Sequence, residues 1–204
     1  KNPLKLSRVS IYRNTTVGDK SSCCFTKSHN IILKVHTVRQ NCNNASMSEK
    51  TAILGYGTEG QAMQKYLDGA ATVLDEKDDP NAFADLSAYE IVYRSPGVPL
   101  AKIDHPNISS VTKFFFEKCP CPIIGITGTK GKGTTSTLIY EMLKAAGRDV
   151  YLGGNIGEPP VNFLGQLNPE SIVILELSSF QLEDLTQSPH IAVVLNVTSE
   201  HLDV

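Results

Sequence analysis

Short apolar runs alternate with longer mixed stretches from residue 50 onward, and this alternation is the feature that most constrains the fold. Continuous apolar strands that are separated by helices indicate parallel sheets covered on both faces. The helical pattern is clearest at 58–67 and 134–146. The sequence therefore predicts an α/β fold. The predicted strands are TAIL (51–54), ATVL (71–74), IVYR (91–94), IIGI (123–126), DVYL (149–152), IVILEL (172–177) and IAVVLN (191–196).

Residues 1–46 differ from the rest of the chain in charge. They contain eight lysines and arginines but one acidic residue, Asp19, whereas the 204-residue chain as a whole has a formal net charge of −2. A basic stretch rich in Ser and Asn is typical of a transit peptide or of a nucleic-acid-binding arm. Its basic residues are not interleaved with a series of aromatic residues, so we expect no nucleic-acid partner. Because Met47 is the first methionine and a β-type run follows it, we expect the natural start at Met47 and no role for residues 1–46 in the fold.

Composition argues for a globular protein without a membrane span. The chain is 41% hydrophobic, which is enough to bury a core. Its longest apolar runs, such as IAVVL at 191–195, fall far short of the ~20 residues that cross a bilayer. Three of the five cysteines lie within 1–46, and Cys119 and Cys121 lack a second pair at zinc-binding spacing. We therefore expect a cytoplasmic protein with reduced thiols and no membrane partner.

The first of two glycine-rich turns is GYGTEG at 55–60. Gly55, Gly57 and Gly60 match the pattern Gly-x-Gly-x-x-Gly after a strand and at the start of a helix, and Asp75 follows twenty residues after Gly55. This is the form of the dinucleotide-binding fingerprint. Glycines in such a turn often serve backbone geometry alone, so nicotinamide or flavin binding is one of two interpretations.

The second turn, ITGTKGKGTTS at 126–136, follows another predicted strand. Its backbone N–H groups converge on a helix N-terminus and its lysines add positive charge, as in a cradle for the phosphates of a nucleoside triphosphate. Ile126 stands where the general phosphate loop has its first glycine, and Gly133 stands where that loop has Ser or Thr after its lysine. We therefore predict a variant phosphate loop for ATP, formed by Gly128, Thr129, Lys130, Gly131, Lys132, Gly133, Thr134 and Thr135.

Several segments in order resemble the Mur ligases. GITGTKGKGTTS is followed by GGNIG (153–157), LELSSFQLE (175–183) and LNVTSEHLD (195–203), and SSFQLE is most similar to the D-glutamate-adding member of that family. Upstream, GYGTEG and RSPGVP (94–99) are similar to the N-terminal domain of the same member. The resemblance implies a Rossmann-like N-terminal domain at 47–118 that binds the UDP end of the substrate. It also implies a P-loop-type parallel-sheet ATPase domain at 119–204, incomplete at Val204, and a chain that is inactive by itself.

The resemblance also implies a reaction. ATP phosphorylates the carboxylate of UDP-N-acetylmuramoyl-L-alanine, and the amine of D-glutamate attacks the acyl phosphate, with Mg²⁺ as cofactor. The implied catalytic residues are Lys132, Glu176 and His201, and the implied metal ligands are Thr134, Glu176 and His201. Glu176 ends the apolar run IVILE, where an unpaired carboxylate is costly and where parallel sheets bind ligands. His201 matches a metal-binding histidine of the family, although Glu200 precedes it in place of the usual Asp.

Ten residues are implied to contact the substrate. In the family comparison, the first glycine turn faces the UDP diphosphate, Asp75 meets the uridine, and the SSFQLE segment meets the acyl end. Lys130 is an added charge that either tightens ATP binding or faces solvent. We expect a monomer with small-molecule partners. The implied substrate-binding residues are Gly57, Thr58, Glu59, Asp75, Ser95, Gly97, Asn155, Ser178, Ser179 and Gln181.

Two other functions stay open. Folylpolyglutamate synthase forms a glutamate amide by the same route, and its loop matches Lys132, Gly133 and Thr134 better than the Mur pattern does. The separate N-terminal unit at 50–110 and the SSFQLE segment favour the Mur ligases instead. A nucleotide-binding module without catalysis is the third possibility.

Overall fold

The computed structural model describes residues 50–198 and contains two parallel sheets of four strands each. The predictions on residues 1–46, Glu200 and His201 lie outside the described residues. The predicted α/β class with parallel sheets is confirmed. Within residues 50–198, no helix is long and apolar enough to cross a membrane.

The first sheet has the strand order β2-β1-β3-β4, with every neighbouring pair parallel. Its central strand β1 is fully buried because helices or loops cover both faces. A short 3₁₀ helix, Leu100–Lys102, lies between the last two strands. The elements are β1 (Thr51–Leu54), α1 (Thr58–Tyr66), β2 (Thr72–Leu74), β3 (Ile91–Arg94) and β4 (Ile108–Ser110).

Helix α2, Val111–Lys118, connects the first sheet to the second. It begins directly after β4, and the Ser110 hydroxyl caps it by accepting a hydrogen bond from the Lys113 N–H at 3.0 Å. Phe114, Phe115 and Phe116 are all buried, so α2 contacts the core on more than one side. A linker of four residues, Cys119 to Pro122, then leads to the second sheet.

The second sheet has the order β6-β7-β5-β8, and all its pairs are parallel. Its register places Glu176 opposite both Ile126 and Gly154, at the carboxyl ends of the strands. Two 3₁₀ helices, Pro160–Asn162 and Leu164–Gln166, lie between the second and third of these strands in the chain. The elements are β5 (Ile123–Thr127), α3 (Lys132–Ala145), β6 (Val150–Gly154), β7 (Ile172–Glu176), α4 (Ser179–Leu182) and β8 (Ile191–Val194).

One apolar cluster joins the two sheets. It includes Ile53 and Met63 from the first sheet and its helix, Phe115 from α2, and Val173 and Leu175 from the second sheet. Each fully buried side chain of this size stabilises the fold by roughly 1.5–3 kcal/mol relative to exposure. A second cluster, which includes Leu54 and Val92, fills the other face of the first sheet.

The seven predicted strands and both predicted helices are present, with ends that differ by at most two residues. The sequence pattern did not predict β4, α2 or α4. Of these, β4 has three residues and α4 has four, which is too short for a periodic pattern.

Candidate functional site

The two glycine turns occupy equivalent places in their sheets. Each turn follows a central strand whose neighbours in the sheet come from different parts of the chain: β1 lies between β2 and β3, and β5 lies between β7 and β8. In open parallel sheets, ligands bind outside the carboxyl ends of the strands at such a switch of strand order. Both turns are therefore placed where ligand binding is expected.

The first turn uses its glycines in different ways. Gly55 has φ +80°, and a Cβ at this position would lie 2.8 Å from Val98 Cγ2. A Cβ at Gly60 would lie only 2.2 Å from the Gly55 carbonyl oxygen, so Gly60 allows α1 to pack closely on the turn. A Cβ at Gly57 would meet nothing within 4 Å. Packing explains why residues 55 and 60 are glycines. Gly57 and Thr58 are exposed, so the start of α1 is open to solvent.

Asp75 connects the first turn to the loop after β2. One carboxylate oxygen, Oδ2, accepts a hydrogen bond from the Tyr56 N–H at 2.7 Å, and Oδ1 accepts one from the Lys77 N–H at 3.0 Å. These two backbone donors lower the pKa of Asp75 below its usual value, and the Lys77 N–H has the larger effect. Asp75 is therefore an anion at neutral pH that also orders the two loops.

A cavity of about 560 Å³ lies over the first turn. Ser95 stands at its wall, and its hydroxyl donates to the Gly55 carbonyl oxygen at 2.7 Å. The loop after β6 completes the lining from the second sheet with Gly154, Asn155 and Gly157. Ser178, Ser179 and Gln181 are not among the lining residues. The predicted substrate residues that the cavity does bring together are Gly57, Thr58, Glu59, Asp75, Ser95, Gly97 and Asn155.

The second glycine turn is bonded to the segment after β8. Gly128 has φ +131°, and a Cβ there would lie 2.9 Å from Leu195 Cβ. The Thr129 N–H donates to the Asn196 carbonyl oxygen at 2.8 Å, and the Thr129 hydroxyl donates to the Thr198 carbonyl oxygen at 3.1 Å. Gly131 caps α3 in the left-handed conformation, with φ +86°. The turn therefore holds its shape through glycine conformations and a neighbouring strand end.

Lys132 is the first residue of α3, and its side chain folds back over the turn. Its Nζ donates to the Gly128 carbonyl oxygen at 2.8 Å and to the Thr129 carbonyl oxygen at 3.2 Å. The ammonium charge is thus held at the turn itself. Lys130 and Thr134 are exposed, and Thr135 is half-buried.

Glu176 is the most unusual polar group of the site. It is 4% exposed, and its Oε1 accepts a hydrogen bond from Asn155 Nδ2 at 3.1 Å. Its Oε2 is buried and has no hydrogen-bond donor in the described part of the chain. A Cβ at Gly133 would lie 3.1 Å from this oxygen, so the free oxygen faces the first turn of α3. Burying an unpaired carboxylate oxygen is costly, so this atom is a candidate position for binding a ligand.

The Glu176 oxygen suits a magnesium ion. Mg²⁺ is usually held by one or two carboxylates together with substrate phosphates and waters, and it needs no cage of protein ligands. No group of three or more His, Cys, Asp or Glu side chains that could hold a metal occurs within residues 50–198. Glu176 beside a phosphate-type turn therefore fits Mg²⁺ bound with a nucleotide, and Thr134 lies on the same helix start.

The segment after β7 bonds to the first sheet. Ser178 and Gln181 form a capping box at the start of α4, in which the Ser178 N–H donates to Gln181 Oε1 at 2.9 Å. Gln181 Nε2 also donates to Glu59 Oε1, across 122 residues of sequence. Burial raises the pKa of Glu59 above its usual value, although the bonds from Gln181 and Thr112 act in the opposite direction. Of the three predicted residues of this segment, Ser179 is exposed.

Arg94 is the residue that the sequence pattern did not identify. It ends β3, is 0% exposed, and contacts both the loop after β3 and the segment after β7. Only residues 95–97 of the RSPGVP motif were predicted as a substrate loop. An arginine at the end of the apolar run IVYR is the signal that marks this position, because a buried guanidinium needs partners.

A comparison with family models matches residues 126–204 to the Mur ligase middle domain. The match includes the second glycine turn, Glu176 and the 178–184 segment, so the predicted resemblance to the Mur ligases is confirmed.

Curated proteins that are similar to this chain carry the name UDP-N-acetylmuramoylalanine--D-glutamate ligase. The relative from Symbiobacterium thermophilum is 45% identical over 126 residues, which covers 58% of this chain and 28% of that protein. The relative from Acetivibrio thermocellus is 44% identical over 127 residues, covering 59% and 27%. The relative from Clostridium kluyveri is 39% identical over 127 residues, covering 59% and 28%. The match thus spans less than a third of the length of these relatives.

Proposed function

We propose that this chain acts in an ATP-dependent ligase that adds D-glutamate to UDP-N-acetylmuramoyl-L-alanine in peptidoglycan precursor synthesis. The proposed ligase is a cytoplasmic monomer. In this reaction the substrate carboxylate is phosphorylated, and the amine of D-glutamate displaces the phosphate. The relatives support the reaction class through their shared name. The observation that carries the proposal is the buried free oxygen of Glu176 beside the glycine turn at the start of α3.

The second turn is proposed as the ATP site. The N–H groups between Gly128 and Gly133 and the positive end of α3 would hold the phosphates. Lys132 would move its ammonium from the Gly128 and Thr129 carbonyl oxygens to a phosphate oxygen, exchanging neutral acceptors for a charged one. Lys130 lies exposed beside the turn and would add a weaker, screened attraction.

Glu176, Thr134 and His201 are proposed as the residues that hold Mg²⁺. The ion, when bound, would neutralise charge on the transferred phosphoryl group. Asn155 has a separate role, since it donates to Glu176 Oε1 and so leaves Oε2 as the oxygen that is free for a ligand. The carboxylate is therefore oriented before any ligand binds, which reduces the reorganisation that binding requires.

The cavity over the first turn is proposed as the site for the UDP end of the substrate. Its volume of about 560 Å³ lies in the usual range for small-molecule sites. The exposed start of α1 at Gly57 and Thr58 would face the diphosphate, and Asp75 would face the uridine. The loop from Ser95 to Gly97 and the side chain of Asn155 would line the rest of the substrate.

The strand orders support the proposed domain types. In the first sheet, the order β2-β1-β3-β4 is that of a doubly wound sheet, which supports a Rossmann-like domain at 47–118. In the second sheet, the turn after β5 leads directly into α3, which supports part of a P-loop-type domain at 119–204. The other candidates, a folylpolyglutamate synthase-like ligase and a non-catalytic module, gain no support from the relatives.

Calorimetric titration distinguishes the two candidate ligases, and transfer of labelled glutamate distinguishes a ligase from a non-catalytic module. We expect UDP-N-acetylmuramoyl-L-alanine to bind to the chain and a reduced folate to give no heat of binding. Glu176→Gln should leave the affinity for the UDP-sugar unchanged, while Mg²⁺ should no longer strengthen ATP binding. Glu141→Gln, an exposed carboxylate on the distal part of α3, is the matched control. Binding of folate without the UDP-sugar, or unchanged Mg²⁺ dependence in Glu176→Gln, would contradict the proposal. Transfer of labelled D-glutamate, and not L-glutamate, by the native protein tests the ligation itself.

A further inference from the structure

Arg94 binds two segments that are far apart in the sequence. Its Nη1 donates to the Val98 carbonyl oxygen at 3.1 Å, and its Nη2 donates to the Phe180 carbonyl oxygen at 3.0 Å. The same Nη2 lies 3.0 Å from Asp184 Oδ1 and 3.2 Å from Glu183 Oε2. One side chain at the end of β3 therefore connects the loop that lines the cavity to the segment that follows β7.

The anionic partners of Arg94 differ in exposure. The Asp184 side chain is 11% exposed and the Glu183 side chain 42%, so Asp184 is the partner that is removed from water together with the guanidinium. Two buried atoms of this pair, Arg94 Nε and Asp184 Oδ2, have no hydrogen-bond partner in the described residues. A buried ion pair with incomplete hydrogen bonding is weak evidence for stability, and the best-attested role of such groups is to define a unique arrangement.

Helix α4 depends on these contacts for its position. It has only four residues, and isolated helices shorter than about 12–15 residues are marginal in water. The capping box of Ser178 and Gln181 orders the helix internally but does not attach it to the first sheet. Within the described residues, two hydrogen-bonding side chains attach it there: Arg94, through Phe180 and Asp184, and Glu59, which accepts from Gln181. Leu182 and Leu185 add apolar packing against the cluster that joins the two sheets.

We propose that Arg94 is a positioning residue that sets the place of the 178–184 segment relative to the 95–98 loop. The identity of the ligand rests on the proposed function: the loop would line the UDP end of the substrate and the segment would meet its acyl end. Arg94 would then determine whether both ends of one substrate are bound at the same time. Arginine suits this role because its planar fork reaches acceptors on two sides, whereas a lysine ammonium is a single point charge.

The contacts of Arg94 with the 95–98 loop and with the 178–184 segment can be separated by mutation. Asp184→Asn removes the buried anion on the α4 side and leaves the bond from Arg94 to Val98 in place. Arg94→Lys keeps the charge and removes the fork. Glu90→Gln is the matched control, because Glu90 forms an exposed ion pair with Lys50 and precedes β3, at the opposite end of the strand from Arg94.

Ligand binding gives the first readout. For Asp184→Asn we expect the affinity for UDP to stay within about twofold of the parent, while the affinity for UDP-N-acetylmuramoyl-L-alanine falls by about tenfold or more. Glu90→Gln should change neither. A residue with a merely structural role would weaken both ligands alike, and that outcome would overturn the proposal.

Hydrogen exchange gives a second readout that needs no ligand. In both Asp184→Asn and Arg94→Lys, the amides of residues 178–185 should exchange about tenfold faster, while those of β1 keep the protection of the parent. Unchanged exchange in this segment in both variants would refute the positioning role. If the parent chain binds neither UDP nor the UDP-sugar, the proposed function fails, and the exchange data alone decide whether Arg94 positions the segment.

Discussion

Gly60→Ala tests the close approach of α1 to the first glycine turn. A Cβ at residue 60 would lie 2.2 Å from the Gly55 carbonyl oxygen and 3.0 Å from Ser95 Oγ. Ser95 Oγ donates to the same carbonyl at 2.7 Å. Since the Gly55 oxygen belongs to the backbone, the helix must move away from the turn, and the bond between Ser95 and Gly55 must lengthen.

The expected magnitude follows from three terms. Alanine is favoured over glycine within a helix by about 1 kcal/mol. Overpacking costs about 1–3 kcal/mol, and the loss of a hydrogen bond costs about 0.5–1.5 kcal/mol. We therefore expect Gly60→Ala to lower the free energy of unfolding by about 1–3 kcal/mol, which corresponds to a decrease of roughly 3–9 °C in Tm for a chain of this size.

Urea unfolding followed by circular dichroism measures this change. Gly97→Ala is the control, because a Cβ at residue 97 would meet nothing within 4 Å and the position lies in an exposed loop. We expect the control to stay within about 0.5 kcal/mol of the parent. If Gly60→Ala were as stable as Gly97→Ala, the steric explanation of this glycine would be wrong. Weaker UDP binding in Gly60→Ala than in the parent would link the same packing to the cavity.

Three further predictions concern Phe115 in the shared core, the thiols of Cys119 and Cys121, and the carboxylate of Glu59. Phe115→Ala removes a fully buried ring and should lower the free energy of unfolding in urea by about 3–5 kcal/mol. A decrease below about 1 kcal/mol would contradict the place of Phe115 in the core. Burial of the Cys121 thiol is the main cause that raises the pKa of Cys121 to about 12, and the neighbouring Cys119 is the next. We therefore expect iodoacetamide near pH 8 to alkylate Cys119 well before Cys121, and peptide mapping measures this order. Equal labelling would refute this order. Burial raises the pKa of Glu59, so its protonated form stabilises the fold at low pH; this contribution is lost as pH rises from about 4.5 through the folded-state pKa. The stability of Glu59→Gln relative to the parent should therefore increase over that range, and a constant difference would disprove the assignment.

Local sequence patterns were sufficient for most of the secondary structure. The strands IVYR and IIGI are short apolar runs, and the helix after Gly131 follows a turn whose glycines adopt conformations that other residues avoid. Helix α2 was missed because Val111, Thr112 and three consecutive phenylalanines are all buried. A helix that is covered on most of its surface has no polar face, so its sequence lacks the period of 3.6 residues.

The sequence alone also identified Glu176 and Asn155 as separate candidates, one from a strand end and one from a motif. Their hydrogen bond depends on the register that places β6 beside β7, and that register leaves one oxygen of Glu176 free. The pairing of strands in the assembled sheet decides which of the two carboxylate oxygens is free. The sequence of either segment alone does not predict this.

The sequence by itself determined the parallel α/β class, the two glycine turns and the resemblance of the second half to the Mur ligases, because strand runs, turn conformations and motifs depend on neighbours within a few positions. The tertiary structure decided which polar groups stay free and which bind each other. Glu59 and Gln181 were both predicted to contact substrate, yet they form a hydrogen bond across 122 residues. The proposed role of Arg94 depends on the packing of two sheets on one core, which buries its guanidinium between the 95–98 loop and the 178–184 segment, where its donors bind protein acceptors.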